Sequence, residues 1–137
     1  MNRAFVRDLV FSDTAARQRL EAIVHPLIRT EAQAQIAQYK TAPYIVVVVP
    51  LLAEKGGWQD LAEGIIVVDC PPAMQIERVK TRNGWTNKQI RAVLQAQAPR
   101  KERLQIATWV LSNDGTIESL FAQTDALHLK LLEEASK

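Results

Sequence analysis

The stretch YIVVVVPLLAEKG, residues 44–56, decides the fold class. It opens with five consecutive branched aliphatic residues, 45–49, and Pro50 then ends the run. An uninterrupted run of this kind is typical of a strand that is buried on both faces, as strands are in a parallel sheet covered by helices. We therefore predict a strand over residues 44–49 in an α/β fold.

Two further apolar runs predict the other strands of this sheet. The segment GIIVVD, residues 64–69, follows after about fifteen residues, a connection that suits a crossover between parallel strands better than a hairpin. Residues 108–111 predict a third strand. Residues 117–134 carry apolar side chains at the i, i+3, i+4 spacing of a final helix.

The segment between the second and third strands predicts three helices. The first begins at the Pro-Pro pair 71–72 and ends at the Asn-Gly pair 83–84. The sequence TNKQ, residues 86–89, matches a capping box that begins the second helix, and Pro99 ends it. A further helical turn is predicted over residues 100–107.

The first 40 residues predict a small array of helices. A short helix over residues 2–11 precedes a second one capped by Ser12 or Asp13. Proline disfavours helical geometry in the residue before it, so the pair His25-Pro26 predicts a break. Residues 27–39 would then form a separate helix.

The composition is that of a soluble globular domain, with 47% hydrophobic and 23% charged residues in 137. The single cysteine, Cys70, has no second cysteine with which to form a disulfide, so a reducing cytoplasm is the expected setting. No apolar run is long enough to cross a bilayer, and neither an export signal nor a membrane partner is expected.

The net charge of +2 conceals a concentrated positive segment. Residues 77–103 carry eight basic and two acidic side chains, a local charge of +6, and the rest of the chain sums to −4. This favours an anionic partner such as nucleotide phosphates or nucleic acid, with a solvated helical face as the alternative. Arg78 and Arg82 lie four residues apart, so both could converge on one polyanion. The three tryptophans do not alternate with the basic residues, which makes single-stranded nucleic acid the poorer fit.

Phosphate-loop motifs do not occur in these 137 residues. A phosphate cradle in an α/β fold usually needs glycines that let backbone N–H groups close around the anion at a helix N-terminus. Neither G-x-x-x-x-G-K-[ST] nor G-x-G-x-x-G can be read in the sequence. The sequence therefore predicts no self-sufficient phosphate site.

Three single residues are candidates for a site, and each has a structural alternative. Asp69 ends a strand as a magnesium ligand would, although capping of the next helix is the favoured interpretation. Glu54 either meets a ligand at the carboxyl edge of the sheet or is an exposed loop acid. His25, which precedes a proline, is more often a hydrogen-bonded cap than a catalyst. No metal site is predicted.

The chain resembles the dephospho-CoA kinase family in five stretches, which together extend over essentially its whole length. They are NRAFVRDLVFSDTAARQRLEAIVHPLIR (2–29), VVVVPLLAEKG (46–56), IIVVDCPPAMQIERVKTRNG (65–84), LQAQ (94–97) and WVLSNDG (109–115). The resemblance implies a P-loop kinase fold, a parallel sheet flanked by helices, with helical substrate-binding and lid segments. It also implies phosphorylation of the ribose 3′-hydroxyl of dephospho-CoA by ATP, with Mg²⁺ shielding the phosphates, in the last step of coenzyme A biosynthesis.

The resemblance further implies a division of the chain into three parts. Residues 1–42 would be the helical substrate-side segment, residues 43–70 and 108–137 the α/β core, and residues 71–107 the basic lid. The implied site residues are His25, Pro26, Arg29 and Glu54 for the substrate, Arg78 and Arg82 for the phosphates, and Asn113 and Gly115 for the adenine side of ATP.

One departure from the family pattern bears on activity. Family members begin with a strand and a glycine-rich phosphate loop, followed by a strand with the aspartate that activates the hydroxyl, and this sequence has no counterpart of either. The phosphate-loop strand would lie between those matched by residues 45–49 and 65–69. We therefore predict an N-terminally truncated member that lacks the first two strands and has little or no activity alone.

The same departure predicts weak folding and leaves other functions open. Strands without partners leave backbone N–H and C=O groups unpaired, so the isolated chain would fold poorly, aggregate or pair with a second copy through its strands. A remnant that holds CoA or a nucleotide without catalysis is one alternative function. RNA binding through the basic segment is another.

Overall fold

The computed structural model describes residues 5, 6, 9, 13–50, 52, 58 and 61–137. The chain divides into two compact units, Met1–Val47 and Val48–Lys137. The predicted α/β class is confirmed, since parallel strands and helices alternate in the second unit. In chain order the elements are α1 (Thr14–Gln38), β1 (Ile66–Asp69), α2 (Pro72–Asn83), α3 (Asn87–Ala96), α4 (Arg100–Gln105), β2 (Trp109–Ser112) and α5 (Ile117–Ala135).

The N-terminus of α1 is capped as the sequence predicts. Asp13 is the N-cap residue, and its Oδ1 accepts a hydrogen bond of 3.0 Å from the backbone N–H of Ala16. This backbone hydrogen bond lowers the pKa of Asp13, because it stabilises the ionised carboxylate. The helix predicted over residues 2–11 lies largely outside the described residues. Within this range the structure describes Phe5, Val6 and Leu9, and all three are helical.

The break predicted at His25-Pro26 is wrong. A single helix runs from Thr14 to Gln38 with Pro26 inside it. Proline removes one backbone N–H, but the alanine, glutamine, leucine and arginine residues on both sides favour helix, and helix propagation is cooperative. Hydrogen bonds on both sides of one missing bond therefore hold the helix together.

The strand predicted over residues 44–49 is also wrong. This stretch has no regular secondary structure, and Val46 and Val48 are 59% and 89% exposed. A strand forms only when its backbone N–H and C=O groups pair with those of a neighbour. High β-propensity does not supply that neighbour.

The other two predicted strands form and pair in parallel. The register runs from Ile66 opposite Trp109 to Asp69 opposite Ser112. Gly64 lies just before β1 and allows the Trp109 ring to approach closely, because a Cβ at this position would overlap the ring. Helices α2, α3 and α4 all lie within the crossover between the two strands.

The crossover helices begin and end as the sequence predicts, within two residues. Gly84 ends α2 in the left-handed conformation, with φ of 67°, which glycine adopts without strain. The capping box that begins α3 is confirmed: the backbone N–H of Gln89 donates to Thr86 Oγ1, and the backbone N–H of Thr86 donates to Gln89 Oε1. Ile90, on the first turn of α3, is 2% exposed.

The buried side chains of the second unit come from the end of β1, from α3 and α5, and from the segment before α4. Helix α4 contacts β1 and α5 contacts β2, so the two helices cover different strands. The buried residues are Asp69, Cys70, Ile90, Ala98 and Leu127. In the part of the chain that the structure describes, no helix is long and apolar enough to span a bilayer.

Candidate functional site

The carboxyl ends of both strands lie at one edge of the sheet. This follows from the parallel pairing, which places Asp69 opposite Ser112. The residue after β2 is still hydrogen-bonded to the end of β1, since the backbone N–H of Asn113 donates a 2.7 Å hydrogen bond to the carbonyl oxygen of Asp69. In open α/β sheets, ligands bind at this edge.

Five residues meet at this edge and are called the strand-end cluster: Asp69, Cys70, Arg78, Arg100 and Asn113. They come from the ends of both strands and from α2 and α4. Two arginines thus hold the first and last helices of the crossover against the sheet. The hydrogen bonds of each arginine define the geometry of the cluster.

Arg100 forms a bidentate ion pair with Asp69. Its Nε donates to Asp69 Oδ1 at 2.8 Å, and its Nη2 donates to Oδ2. The hydrogen bonds from Arg100 lower the pKa of Asp69 against the opposing effect of desolvation. Asp69 is 9% exposed and Arg100 is 47% exposed, so a buried carboxylate is neutralised by a guanidinium that still reaches water.

The predicted capping role of Asp69 is therefore wrong. The N-cap of α2 is Pro71, and no side chain caps this helix. The magnesium interpretation gains no support either, because Arg100 occupies both carboxylate oxygens. Among the described residues, no group of three or more His, Cys, Asp or Glu side chains is placed to hold a metal ion.

Arg78 and Asn113, predicted for two different parts of an ATP site, contact each other directly. Arg78 Nη1 donates to the Asn113 carbonyl oxygen at 2.7 Å and to Asn113 Oδ1 at 2.9 Å. The same nitrogen lies 3.7 Å from Cys70 Sγ. Gly115 follows in the same loop and is exposed. The structure thus joins α2 to the loop after β2 through one arginine.

Arg82 has a different partner. Its Nε donates a 2.8 Å hydrogen bond to the side-chain oxygen of Asn83 at the end of α2, and the residue is exposed. The two arginines predicted to converge on one polyanion therefore make contacts at different places. Their roles toward phosphate stay predictions.

Three of the four residues predicted for the substrate lie on α1 in the first unit. His25 and Pro26 are exposed, and Arg29 is half-buried. His25 and Arg29 are four residues apart on a continuous helix, so their side chains lie on the same side of it. Glu54 lies outside the described residues. The division of the chain into substrate-side, core and lid segments stays a prediction.

The sequence patterns did not single out two residues that organise this edge. In the sequence Arg100 is one of eight basic residues in the segment 77–103, and nothing local indicates that it pairs with Asp69. Gln123, on α5, makes two hydrogen bonds to the backbone of Ser112, and no spacing rule predicts them. Both contacts join residues that are distant in the chain, so only the fold places the partners together.

Comparison with known proteins identifies the family of the chain. The model of a family described as dephospho-CoA kinase matches residues 1–119 of the chain. The chain belongs to the dephospho-CoA kinase family. The family resemblance in the sequence is confirmed by this match.

Curated members of the family are similar to the chain in sequence. It is 48% identical over 133 residues to a dephospho-CoA kinase of Burkholderia lata, with 96% of this chain and 65% of the relative covered. It is 45% identical over 133 residues to one of Dechloromonas aromatica, with coverages of 97% and 64%. The chain therefore spans slightly less than two thirds of the length of these dephospho-CoA kinases.

Solved structures support the same fold. The crystal structure of TT1252 from Thermus thermophilus matches with a TM-score of 0.79 and 35% identity, covering 95% of this chain and 67% of the other. The dephospho-CoA kinase from Campylobacter jejuni matches with a TM-score of 0.70 and 23% identity, and coverages of 98% and 67%. The chain thus has part of the P-loop kinase fold of dephospho-CoA kinases.

Proposed function

We propose that this chain supplies the substrate-side helix, the basic lid and the adenine-side loop of a cytoplasmic dephospho-CoA kinase. In the proposed reaction the ribose 3′-hydroxyl oxygen of dephospho-CoA attacks the γ-phosphorus of ATP, the bond to the β-phosphate oxygen breaks, and ADP leaves. The hydroxyl proton passes to the aspartate that the family resemblance implies on a strand without a counterpart in these 137 residues. The observation that carries the proposal is the family match over residues 1–119. The partners are dephospho-CoA, CoA and ATP.

The basic segment suits a triphosphate by its charge. Phosphoryl transfer relies mainly on positioning and on stabilising charge spread over phosphate oxygens. Arg82, Lys88 and Arg91 are exposed on α2 and α3, so they can reach an anion without breaking a buried contact. Arg78 instead bonds to Asn113, which supports a role on the adenine side of ATP in this conformation.

Mg²⁺ enters the proposal only as the ion that accompanies ATP. The described residues do not offer a protein-held site, since Arg100 engages both oxygens of the buried Asp69. Mg²⁺ in kinases is bound largely through substrate phosphates and water, with one or two carboxylates.

The 137 residues alone are proposed to have little or no activity. Their sequence contains no glycine-rich pattern that could close backbone N–H groups around the β- and γ-phosphates. Without that cradle, the γ-phosphorus is not held in line with an attacking hydroxyl, and positioning provides much of the rate enhancement. Binding of CoA or a nucleotide without turnover is the second candidate function, favoured by the local charge of +6.

The test compares two polypeptides in an ATP-dependent dephospho-CoA phosphorylation assay. One is the 137-residue chain, and the other is the same chain preceded by all residues of the Burkholderia lata relative that lie before the matched region, so that both strands without a counterpart here are supplied. We expect turnover only in the second. Its Arg82→Met variant should lose about 10²-fold or more in kcat, whereas the exposed α5 variant Lys130→Met should not.

Three outcomes would contradict parts of this proposal. Magnesium-dependent turnover by the 137-residue chain would overturn its predicted inactivity. A folded fusion without turnover would overturn the kinase assignment in favour of a binding role, which calorimetry with CoA then tests. RNA affinity that falls steeply with salt, as phosphate contacts require, would favour nucleic acid instead.

A further inference from the structure

The outer edge of β2 ends at Ser112. The backbone N–H groups of Trp109 and Asn113 both donate toward β1, to the carbonyl oxygens of Ile65 and Asp69. Backbone groups alternate in direction along a strand, so the N–H and C=O of Ser112 point away from β1. A strand edge of this kind needs another partner or water.

Gln123 provides that partner. Its Oε1 accepts from the backbone N–H of Ser112 at 2.8 Å, and its Nε2 donates to the Ser112 carbonyl oxygen at 2.9 Å. One side-chain amide thereby makes both hydrogen bonds that a neighbouring strand would make. A second proton of Nε2 reaches the carbonyl oxygen of Ser119 on the same helix at 3.2 Å, which fixes the orientation of the amide.

The next residue, Asn113, is held from two other directions. Its backbone N–H donates to Asp69 at the end of β1. Its carbonyl and side-chain oxygens both accept from Arg78 on α2. Ser112 and Asn113 are thus bonded to β1, α2 and α5 together. The loop that follows, residues 113–115, therefore starts from a fixed position.

We propose that Gln123 is a positioning residue for the loop 113–115, which it orients for a nucleotide base by pairing with the backbone of Ser112. The nucleotide part of this inference rests on the proposed function. Gln123 acts through Ser112 and Asn113 and does not itself contact the nucleotide. A loop ordered before binding spares the entropy of ordering it on binding, so the loss of the amide weakens affinity.

The chemistry of the amide suggests a sharp substitution. In a Gln123→Glu variant the carboxylate can accept from the Ser112 N–H, but it repels the Ser112 carbonyl oxygen. A protonated carboxyl group can donate to that oxygen again. Lowering the pH from about 7 to about 4.5, near the ordinary pKa of a glutamate, should therefore restore both hydrogen bonds to the backbone of Ser112. Asp69 remains ionised in this range because its pKa is lowered by Arg100.

The experiment is amide hydrogen exchange and ATP titration by NMR on the fusion described under the proposed function, which has the phosphate loop that these 137 residues lack. We expect Gln123→Met to speed exchange at Ser112 and Asn113 by about 10-fold or more, while exchange at Val67 stays unchanged. In Gln123→Glu the rate relative to wild type at the same pH should fall again on acidification. The matched control is Gln95→Met, an exposed glutamine on α3.

The ATP titration tests whether Gln123 orients the loop 113–115 for a nucleotide. We expect ATP to shift the resonances of residues 113–115 in the wild type, and about 10-fold more ATP to be needed for the same shift in Gln123→Met. Unchanged exchange at Ser112 in both Gln123 variants would contradict the claim that the Gln123 amide holds the backbone of Ser112. Equal ATP affinity of wild type and Gln123→Met, or no shift at about 10 mM ATP, would overturn the positioning role. The kinase assignment is judged separately, by turnover of the fusion.

Discussion

Residues 45–49 and 65–69 are two apolar runs of similar composition with different outcomes. The second run contains β1, which pairs with β2 over four residues. The first has no regular secondary structure, and its Val48 is 89% exposed. Both have the β-branched residues that strands favour, so the difference lies in the partner and not in propensity.

The contrast extends to the surroundings of each run. The second run leads into Asp69 and Cys70, which are both buried, and Arg100 and Asn113 hold this end of the strand. The first run leads into Pro50, and residues 45–48 are all exposed. A strand thus becomes stable when backbone pairing, side-chain burial and polar anchors coincide, as they do at the strand-end cluster.

The largest expected effect comes from proline at matched positions in the two runs. The N–H of Val67 faces β2, because the neighbouring odd-numbered residues Ile65 and Asp69 accept hydrogen bonds from that strand. Val67→Pro removes this N–H and leaves an acceptor on β2 unpaired, which should lower the free energy of unfolding by about 2 to 4 kcal/mol. Urea denaturation followed by circular dichroism measures the change.

Val47→Pro is the control for this comparison. Residue 47 lies in no strand, so removal of its N–H breaks no ladder, and we expect a change of less than about 0.5 kcal/mol. Equal losses from the two prolines would break the contrast, because they would show that residues 44–49 are paired in solution.

The second effect in size concerns the ion pair that anchors β1. Asp69→Asn removes the charge that neutralises Arg100 and should lower the free energy of unfolding by about 1 to 2 kcal/mol, since the half-exposed arginine can turn to water. Arg100→Met should be more destabilising, because it leaves the buried carboxylate of Asp69 without its counter-ion, and the double variant should be no worse than Arg100→Met. The exposed pair Lys80 and Glu77 is the matched control, and Glu77→Gln should cause no measurable change.

The same ion pair predicts a pH dependence of defined sign. Because the folded pKa of Asp69 is lowered, the pair contributes its full stability above the ordinary aspartate pKa of about 3.9. That contribution is lost as the pH falls through the lower folded pKa. The stability difference between wild type and Asp69→Asn should thus be constant between about pH 5 and pH 8 and shrink in stronger acid. A difference that shrank on going to higher pH would contradict the ionised pair.

The smallest expected effect on stability is at the most exposed residue of the unpaired run. Val48→Lys should change the free energy of unfolding by less than about 0.5 kcal/mol. It should nevertheless reduce the pairing with a second copy through strands that the sequence predicts, because a lysine opposes edge-to-edge pairing. Analytical ultracentrifugation measures the association, with the exposed Thr41→Lys as a control. Equal reduction by both variants would point to net charge instead of the run.

Sequence reasoning worked well where a structure depends on neighbouring residues. The Asp13 cap, the capping box at Thr86 and Gln89, and the glycine that ends α2 all involve contacts within four residues, and the structure confirms each. It failed where the tendency of a single proline to break a helix was opposed by the hydrogen bonds of a long helix. Pro26 lies within a helix of 25 residues whose other hydrogen bonds outweigh the one that proline removes.

The candidate site was predicted in part. The sequence drew attention to Asp69, Arg78 and Asn113, and the structure brings all three to one edge of the sheet. It assigned Asp69 the wrong partner, because Arg100 lies 31 residues away and an ion pair across that distance leaves no local pattern. Gln123 was missed for the same reason.

The sequence by itself determined the α/β class, the parallel direction of β1 and β2, the ends of the crossover helices and the family, since these depend on local patterns of apolar, capping and motif residues. Only the tertiary structure decided which apolar run becomes a strand and which side chains hold the strand ends. Backbone pairing and the contacts of Arg78, Arg100 and Gln123 join residues that are distant in the chain. Such contacts form only when the folded chain brings both partners to one place.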